Sequence, residues 1–273
     1  MLRGLHTAGS GMIAQQRYQD SLSNNMSNAL TPGYKQDRGT FRAFPEMLIQ
    51  NIQSQSLPTK RNVNIPNNHI VGSLHTGTYM QEDVPLFTQG DVEETGISTD
   101  LALINQTTPD ETGFLFFTVT NEQGEPRLTR NGNFTVDAEG YLTTPDGYYV
   151  MDTNNERIQT GTENFEVTAN GQVISPVANT DIQIAYQENA NALTKEGNNL
   201  WALEEGTAIG DARTTEGVNF SINQGSLERS NVDPQQMMTE MMRSYRMFEM
   251  NQQVVRMFDQ SLDLAANQVG RLR

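Results

Sequence analysis

The chain has 273 residues, no cysteine and a formal net charge of −15; 36% of it is apolar, with mean hydropathy −0.58 and pI near 4.5. That length allows one large or two modest domains with a sizeable core, while the missing thiols exclude a disulfide framework and any thiolate metal site. An acidic chain with no Lys/Arg cluster lacks the basic face of a nucleic-acid binder and is not drawn to anionic membranes.

No stretch approaches ~18 uninterrupted apolar residues, so no membrane-spanning helix is predicted. Met1-Leu2-Arg3 leads into Gly, His, Thr and Ser instead of an apolar block, and the expectation is a chain without a cleaved signal.

The first predicted element is an N-terminal helix. Leu5, Ala8, Met12, Gln15, Gln19, Leu22, Met26 and Ala29 alternate spacings of three and four, an a/d heptad seam. Two glutamines and several small or flexible members make the seam weak, and a helix of this length alone in water is marginal. The run closes at "NNMSNALTPGYK", Asn24 to Lys35. Pro32 disfavours the helical conformation at Thr31, and Pro-Gly suits a type II turn. Asn24, Asn25 and Asn28 lie near one another at helical spacing, placed either to bond across an interface or to satisfy the final carbonyls.

Polar composition around Gln53 to His69 reads as an extended or poorly ordered linker, here bounded as 35–69. Residues 70–225 carry β grammar: short β-rich runs punctuated by Asn131-Gly132, read as a two-residue hairpin, then Glu139-Gly140, Asp146-Gly147 and Asn170-Gly171. This spacing predicts an antiparallel β domain, partly barrel- or sandwich-like.

The C-terminal run, 226–273, predicts a long helix with Asp233 as N-cap and Pro234 at the first helical position. Gln236 sits where a capping-box partner belongs, and Val232 is placed to staple onto Met237. Met237, Met241, Ser244, Phe248, Asn251, Val255, Phe258, Leu262, Ala265, Val269 and Leu272 hold the alternating spacing. At ~1.5 Å per residue this helix spans roughly 55 Å, too long for a compact core, and so needs a partner. Its methionines wrap around the helix instead of converging, which points to adaptable packing and not to metal binding.

No catalytic chemistry emerges. His6, His69 and His75 show no metal-ligand pattern, and Asp91, Glu93, Glu94 and Asp100 lack calcium-loop spacing. No phosphate loop, dinucleotide fingerprint or nucleophile elbow is present. No enzyme, metal or cofactor is expected.

Three separated blocks, in order, resemble the bacterial flagellar rod and hook family. They are "AGSGMIAQQRYQD" with "NNMSNALTPGYK", then "LFTQGDVEETGISTDLALI" with "RLTRNGNFTVDAEGYLTTPDGYYV", and finally "GSLERSNVDPQQMMTEMMRSYRMFEMNQQVV". Within the family the chain is most similar to subunits of the distal-rod type. One departure is "QTTPDET", Gln106 to Thr112, inserted where the family usually turns straight into Gly-Phe-Phe.

The resemblance implies an α+β subunit with long N- and C-terminal helices in a coiled-coil layer and a central antiparallel β domain, divided as 1–34, 35–69, 70–225 and 226–273. It implies a structural subunit of the basal-body rod, exported unfolded through the flagellar export apparatus and polymerised with copies of itself and other rod and hook subunits into a torque-transmitting tube. "FPEML" is similar to an export-gate motif, which assigns Phe44 and Leu48 to it. Leu5, Met12, Leu22, Asn25, Met26, Asn28, Met241, Phe248, Val255, Phe258, Leu262 and Val269 are then the expected contacts to partner helices. The alternatives are a secreted adhesin or tail-fibre-like protein, and a peptidoglycan-cleaving enzyme.

Overall fold

Helix α1 (Leu2–Ser27) and helix α2 (Pro234–Leu264) bracket a chain of short antiparallel strands, and the molecule is α+β. The computed structural model describes residues 2–57, 63–110, 112–121, 123–203 and 209–269, with side-chain surroundings given outside 2, 49–57, 63–71, 268 and 269. Two compact units form: Met1–Ser23, Gly39–Asp83 and Gln235–Arg273 in the first, Asn24–Arg38 and Val84–Pro234 in the second. Both units are discontinuous in the chain. Pairing between strands far apart in the chain decides membership, so the segments just after α1 and just before α2 both join the β-rich unit.

In the first unit the two helices run antiparallel, with Gly4 against Phe258, Gly11 against Asn251 and Gln15 against Ser244. The same unit contains most of β1 (Asp37–Ala43) and β4 (Thr78–Pro85), which pair, and the hairpin of β2 (Met47–Leu57) with β3 (Val63–Leu74). The segment expected as an extended linker is therefore largely a two-stranded ribbon, paired from Met47↔Leu74 to Leu57↔Val63. Backbone pairing needs no apolar composition, which is why a polar stretch forms it.

Beyond Leu264 the helix widens into a π-turn over Ala265–Val269, where an uninterrupted α-helix was expected. At the other end, α1 stops at Ser27, short of the expected Ala29. The Asn28 Nδ2 donates to the Asn24 carbonyl at 2.9 Å, and Thr31 donates its hydroxyl to Asn28 Oδ1. The asparagine thus adds a side-chain donor to a carbonyl in the last turn that also accepts the Asn28 N–H at 3.1 Å.

The second unit is built on β5 (Val92–Glu94), β6 (Leu101–Thr107), β7 (Phe114–Thr120), β8 (Pro126–Thr129) and the strands that follow them. Strand β7, buried at every position, lies inside a curled nine-stranded sheet, flanked by β8 on one side and by Tyr149–Val150 and Ile184–Gln187 on the other. Leu101, Leu103, Leu115, Phe117, Phe134 and Ile184 form the main core, and Phe114, Phe116, Leu128 and Trp201 a second cluster. Asn219–Gln224 pairs with β6 and Ser226–Glu228 with β5, closing the unit with late strands against early ones.

Among the described residues one turn recurs five times, at Asn121–Glu125, Asp137–Tyr141, Thr144–Tyr148, Asp152–Glu156 and Thr168–Gln172. In each, the fourth residue donates its N–H to the carbonyl of the first, and the first donates to the carbonyl of the fifth. The side-chain oxygen of the first residue accepts from the N–H of the fifth in all five. The fourth position has φ between 60° and 88° and is glycine four times and Asn155 once, the two residue types that tolerate this conformation.

Asn131-Gly132 is not one of these turns and is not the hairpin expected. Strand β8, before it, pairs with β7 and with Leu200–Ala202, while Thr135–Val136, after it, pairs with Leu142–Thr143. Here glycine serves close approach: a Cβ at Gly132 would lie 1.7 Å from the Leu101 carbonyl oxygen, and Leu101 donates its N–H back to the Gly132 carbonyl at 3.0 Å. The segment Gln106–Thr112 is tied down by the Tyr186 hydroxyl donating to Asp110 at 2.9 Å and by Thr112 donating to the Glu188 carbonyl.

Candidate functional site: the helical ends and their roots

In the first unit the expected seams face inward. Along α2, Met237, Met241, Ser244, Phe248, Asn251, Val255, Phe258 and Leu262, the spacing read from sequence, are all non-exposed, with Met237 and Ser244 fully buried; Glu240, Gln252 and Val254 are half-buried as well. Along α1, Leu5, Ala8, Met12 and Leu22 are likewise turned inward. Contacts are close. A Cβ at Gly4 would fall 2.4 Å from the Phe258 ring, so only glycine lets the ring lie on the backbone. Tyr18 donates its hydroxyl to Glu240 at 2.6 Å and Ser244 donates to Gln15 Oε1 at 2.8 Å. Leu5, Met12, Phe248 and Val255 line one apolar groove of about 1250 Å³ together with Phe44 and Leu74. The structure therefore brings these residues together within one subunit. The side chain of Val269 lies outside the described residues, as does that of His69.

Away from the seam α2 also exposes large apolar side chains among its charged ones: Met238, Met242, Tyr245, Met250, Met257 and Leu264 are each more than half exposed, from 52% to 58%. Phe44 and Leu48 are also exposed. The Phe44 ring stands 5.2 Å from that of Tyr79 in a tilted pair, and Leu48 is paired with Ser73 in the β2–β3 ribbon. His6 is exposed, and His75 Nε2 lies 3.2 Å from Glu46. Among the described residues no cluster of acidic or imidazole side chains is arranged to hold a metal ion.

Asn25 and Asn28 have local work in the second unit. The buried Asn25 donates to the Asp37 carbonyl at 2.7 Å and accepts from the Asp37 N–H at 2.9 Å, which ties the end of α1 to the start of β1. Tyr34 donates its hydroxyl into the same group, within reach of Asn25 Oδ1 at 3.1 Å, and Lys195 bridges to Asp37 at 2.7 Å. Met26 beside them is half-buried.

Beyond this lies a buried charge cluster that sequence reasoning missed. Lys35 Nζ is 2.6 Å from Glu228 Oε1, and Arg130 Nε binds Glu228 Oε2; the three side chains are almost fully shielded from solvent. Lys35 also donates to the Thr88 carbonyl at 2.7 Å, Arg130 to the Leu115 and Leu103 carbonyls, and the Gly90 N–H to Glu228. Both cations lie over the ring of Phe114, at 4.9 and 4.7 Å from its centroid. Burial pushes the Lys35 ammonium down to about 8, opposed by Glu228 and aided by the Arg130 charge. Burial works to raise the Glu228 carboxyl, but Arg130 and Lys35 outweigh it and hold it below the usual range. The Arg130 guanidinium is lowered by burial against the pull of Glu228.

Gly33 explains the "TPGYK" stretch. Its φ is +68°, its N–H donates to the Glu228 carbonyl at 2.8 Å, and a Cβ there would lie 2.4 Å from the Arg130 carbonyl carbon. The chain turns against the cluster where only glycine fits. Lys35 and Glu228 both stand inside the quoted signature blocks, but charges carry no periodicity that would announce burial.

Two terminal helices that pack on one another and still expose large apolar side chains point to a protein built for assembly. Comparison with known proteins identifies its kind. Residues 5–35 match the family described as flagella basal body rod protein, 112–175 the flagellar hook protein FlgE/F/G D1 domain, and 223–269 the flagellar basal body rod FlgEFG protein C-terminal region. The chain is 40% identical to the flagellar hook-basal body complex protein FlhO of Bacillus subtilis, over 100% of both chains. It is 30% identical to the flagellar basal-body rod protein FlgG of the same organism, over 98% of this chain and 99% of the relative. Against FlgG of Agrobacterium fabrum the identity is 28%, over 97% and 98%. The chain belongs to the flagellar rod and hook protein family, as a structural subunit of the basal body and not an enzyme. This sets aside the adhesin and cell-wall-cleaving alternatives.

Proposed function

We propose that this rod subunit is exported through the flagellar export apparatus and polymerises, with copies of itself and with other rod and hook subunits, into a helical tube that carries torque. In this reading the terminal segments 1–34 and 226–273 form a helical layer and the β domain lies outside it. The seam residues Leu5, Met12, Leu22, Met26, Met241, Phe248, Val255, Phe258, Leu262 and Val269 join helix to helix. The observation that carries the reading is the apolar surface that α2 leaves outside its seam. Once the inward seam is closed, Met238, Met242, Tyr245, Met250, Met257 and Leu264 still stand exposed as adaptable apolar side chains around the helix. A monomer has no use for them, whereas a heterologous, propagating contact does.

The test is Met242→Glu with Met250→Glu. The purified monomer is expected to melt within about 0.5 kcal/mol of the wild type, because both side chains are exposed. The same variant in cells is expected to be secreted yet to leave basal bodies without rod in electron micrographs. Intact rods containing it would overturn the reading. In that secretion assay Phe44→Ala with Leu48→Ala serves as the export arm, expected to accumulate inside the cell; normal secretion removes both residues from the export role.

A further inference from the structure

The charge count at Lys35, Arg130 and Glu228 is unequal. Two cations share one carboxylate, and among the described residues Glu228 is the carboxylate that faces both. The three come from different parts of the chain. Lys35 follows α1, Glu228 precedes α2, and Arg130 stands at the end of β8 inside the β-rich unit. Remove Lys35, and Arg130 with Glu228 remains a neutral buried pair. Remove Glu228, and two positive charges face one another out of water over one aromatic ring. The first state is tolerable, while the second leaves buried charge without compensation.

We infer that Lys35, Arg130 and Glu228 form a one-way clasp, in which the root of the C-terminal helix can dock without the N-terminal root, but the N-terminal root cannot dock without the C-terminal one. Glu228 supplies the counter-charge, and the segment carrying it also receives the Gly33 N–H on its carbonyl and, through Asn231 Oδ1, the Gln36 N–H at 2.7 Å. The segment 31–38 is therefore made first, as the chain grows from its N-terminus, and is fixed last. An incomplete chain that ends before Glu228 holds its first helix unlocked. The two ends become committed together once the whole subunit has arrived.

Hydrogen exchange on the full-length protein at pH 7 tests this, following peptides across 31–38, 225–232 and 114–120. In Lys35→Met, exchange over 31–38 is expected to rise about tenfold or more while 225–232 stays within about twofold of wild type. In Glu228→Gln both segments are expected to rise together, and adding Lys35→Met should slow 225–232 again by relieving the paired positive charge. Equal loosening of both roots in Lys35→Met, or no change at 31–38, overturns the clasp. So does a Glu228→Gln protein that loosens 225–232 alone. If Glu228→Gln yields no folded protein, Lys35→Met decides by itself on the same two segments.

Discussion

The two units of the molecule bury their apolar residues in opposite ways. In the β-rich unit, Leu101, Leu103, Leu115, Phe116, Phe117 and Ile184 are wholly or almost wholly buried, and the core is closed by the unit's own strands. In the helical unit the large apolar side chains are mostly half-buried or exposed, from Ile13 and Phe41 to Met257 and Leu264. Apolar surface removed from water stabilises a fold by ~25 cal/mol per Å², so the β-rich unit carries its stability alone and the helical unit is left unfinished. That is the division of labour a polymer needs. One part must survive as a monomer, and the other must gain by meeting neighbours.

The largest expected effect tests the finished side. Phe117 has no exposed surface and meets Phe134 edge-on at 5.3 Å, so Phe117→Ala should cost about 3–5 kcal/mol in urea unfolding. A helix-face change such as Met250→Ser should cost under about 0.5 kcal/mol in the same assay. Equal losses would erase the contrast between the units.

Next comes the junction at Gly33. Alanine there must adopt φ near +68° and push into the Arg130 carbonyl, so Gly33→Ala is expected to lower stability by about 1–3 kcal/mol. A neutral outcome would mean that the roots are only loosely held to the β-rich unit.

The smallest effect is on pH and sharpens the same point. Lys35 titrates near 8 when folded and near 10.5 when unfolded, so the unfolded chain binds more protons between these values and stability rises with pH. Tyr186, pushed up from 10.0 to about 12 by burial and by its bond to Asp110, acts the other way above pH 10. The clean window is thus pH 8 to 10, where wild type should show a shallow rise in melting temperature that Lys35→Met lacks. A flat wild-type profile, or an unchanged rise in the variant, would detach the trend from Lys35.

Both helical seams were legible because a heptad pattern needs nothing but the local chain. The turn at Pro32-Gly33 and the start of α2 at Pro234 followed from backbone sterics alone, whereas α1 itself ends earlier, at Ser27. Gly140, Gly147 and Gly171 were legible as turns for the same reason. Asn131-Gly132 misled because the same dipeptide serves a left-handed turn and a close approach, and only the distant partner Leu101 distinguishes them. The β2–β3 ribbon was hidden by its polarity. Phe44 and Leu48, singled out by resemblance, are exposed, and nothing in their spacing foretells a strand at Leu48. Helical spacing leaves Asn25 free either to meet a partner helix or to bond locally, and only the fold shows its amide bonded to the Asp37 backbone. Lys35, Arg130 and Glu228 were illegible as a group, since their meeting depends on strands more than 90 residues apart in the chain.

The five repeated turns have a consequence for how fast the protein reaches its native state. Each joins residues only four apart and lies between residues 121 and 172, so this middle section is rich in local contacts of the kind that form in ~1–10 μs. The pairings of β6 with Asn219–Gln224 and of β5 with Ser226–Glu228 instead close loops of more than a hundred residues. Non-local closure sets the pace of folding. The slow step is therefore the capture of the last strands by the first, with a preformed meander of hairpins waiting between them.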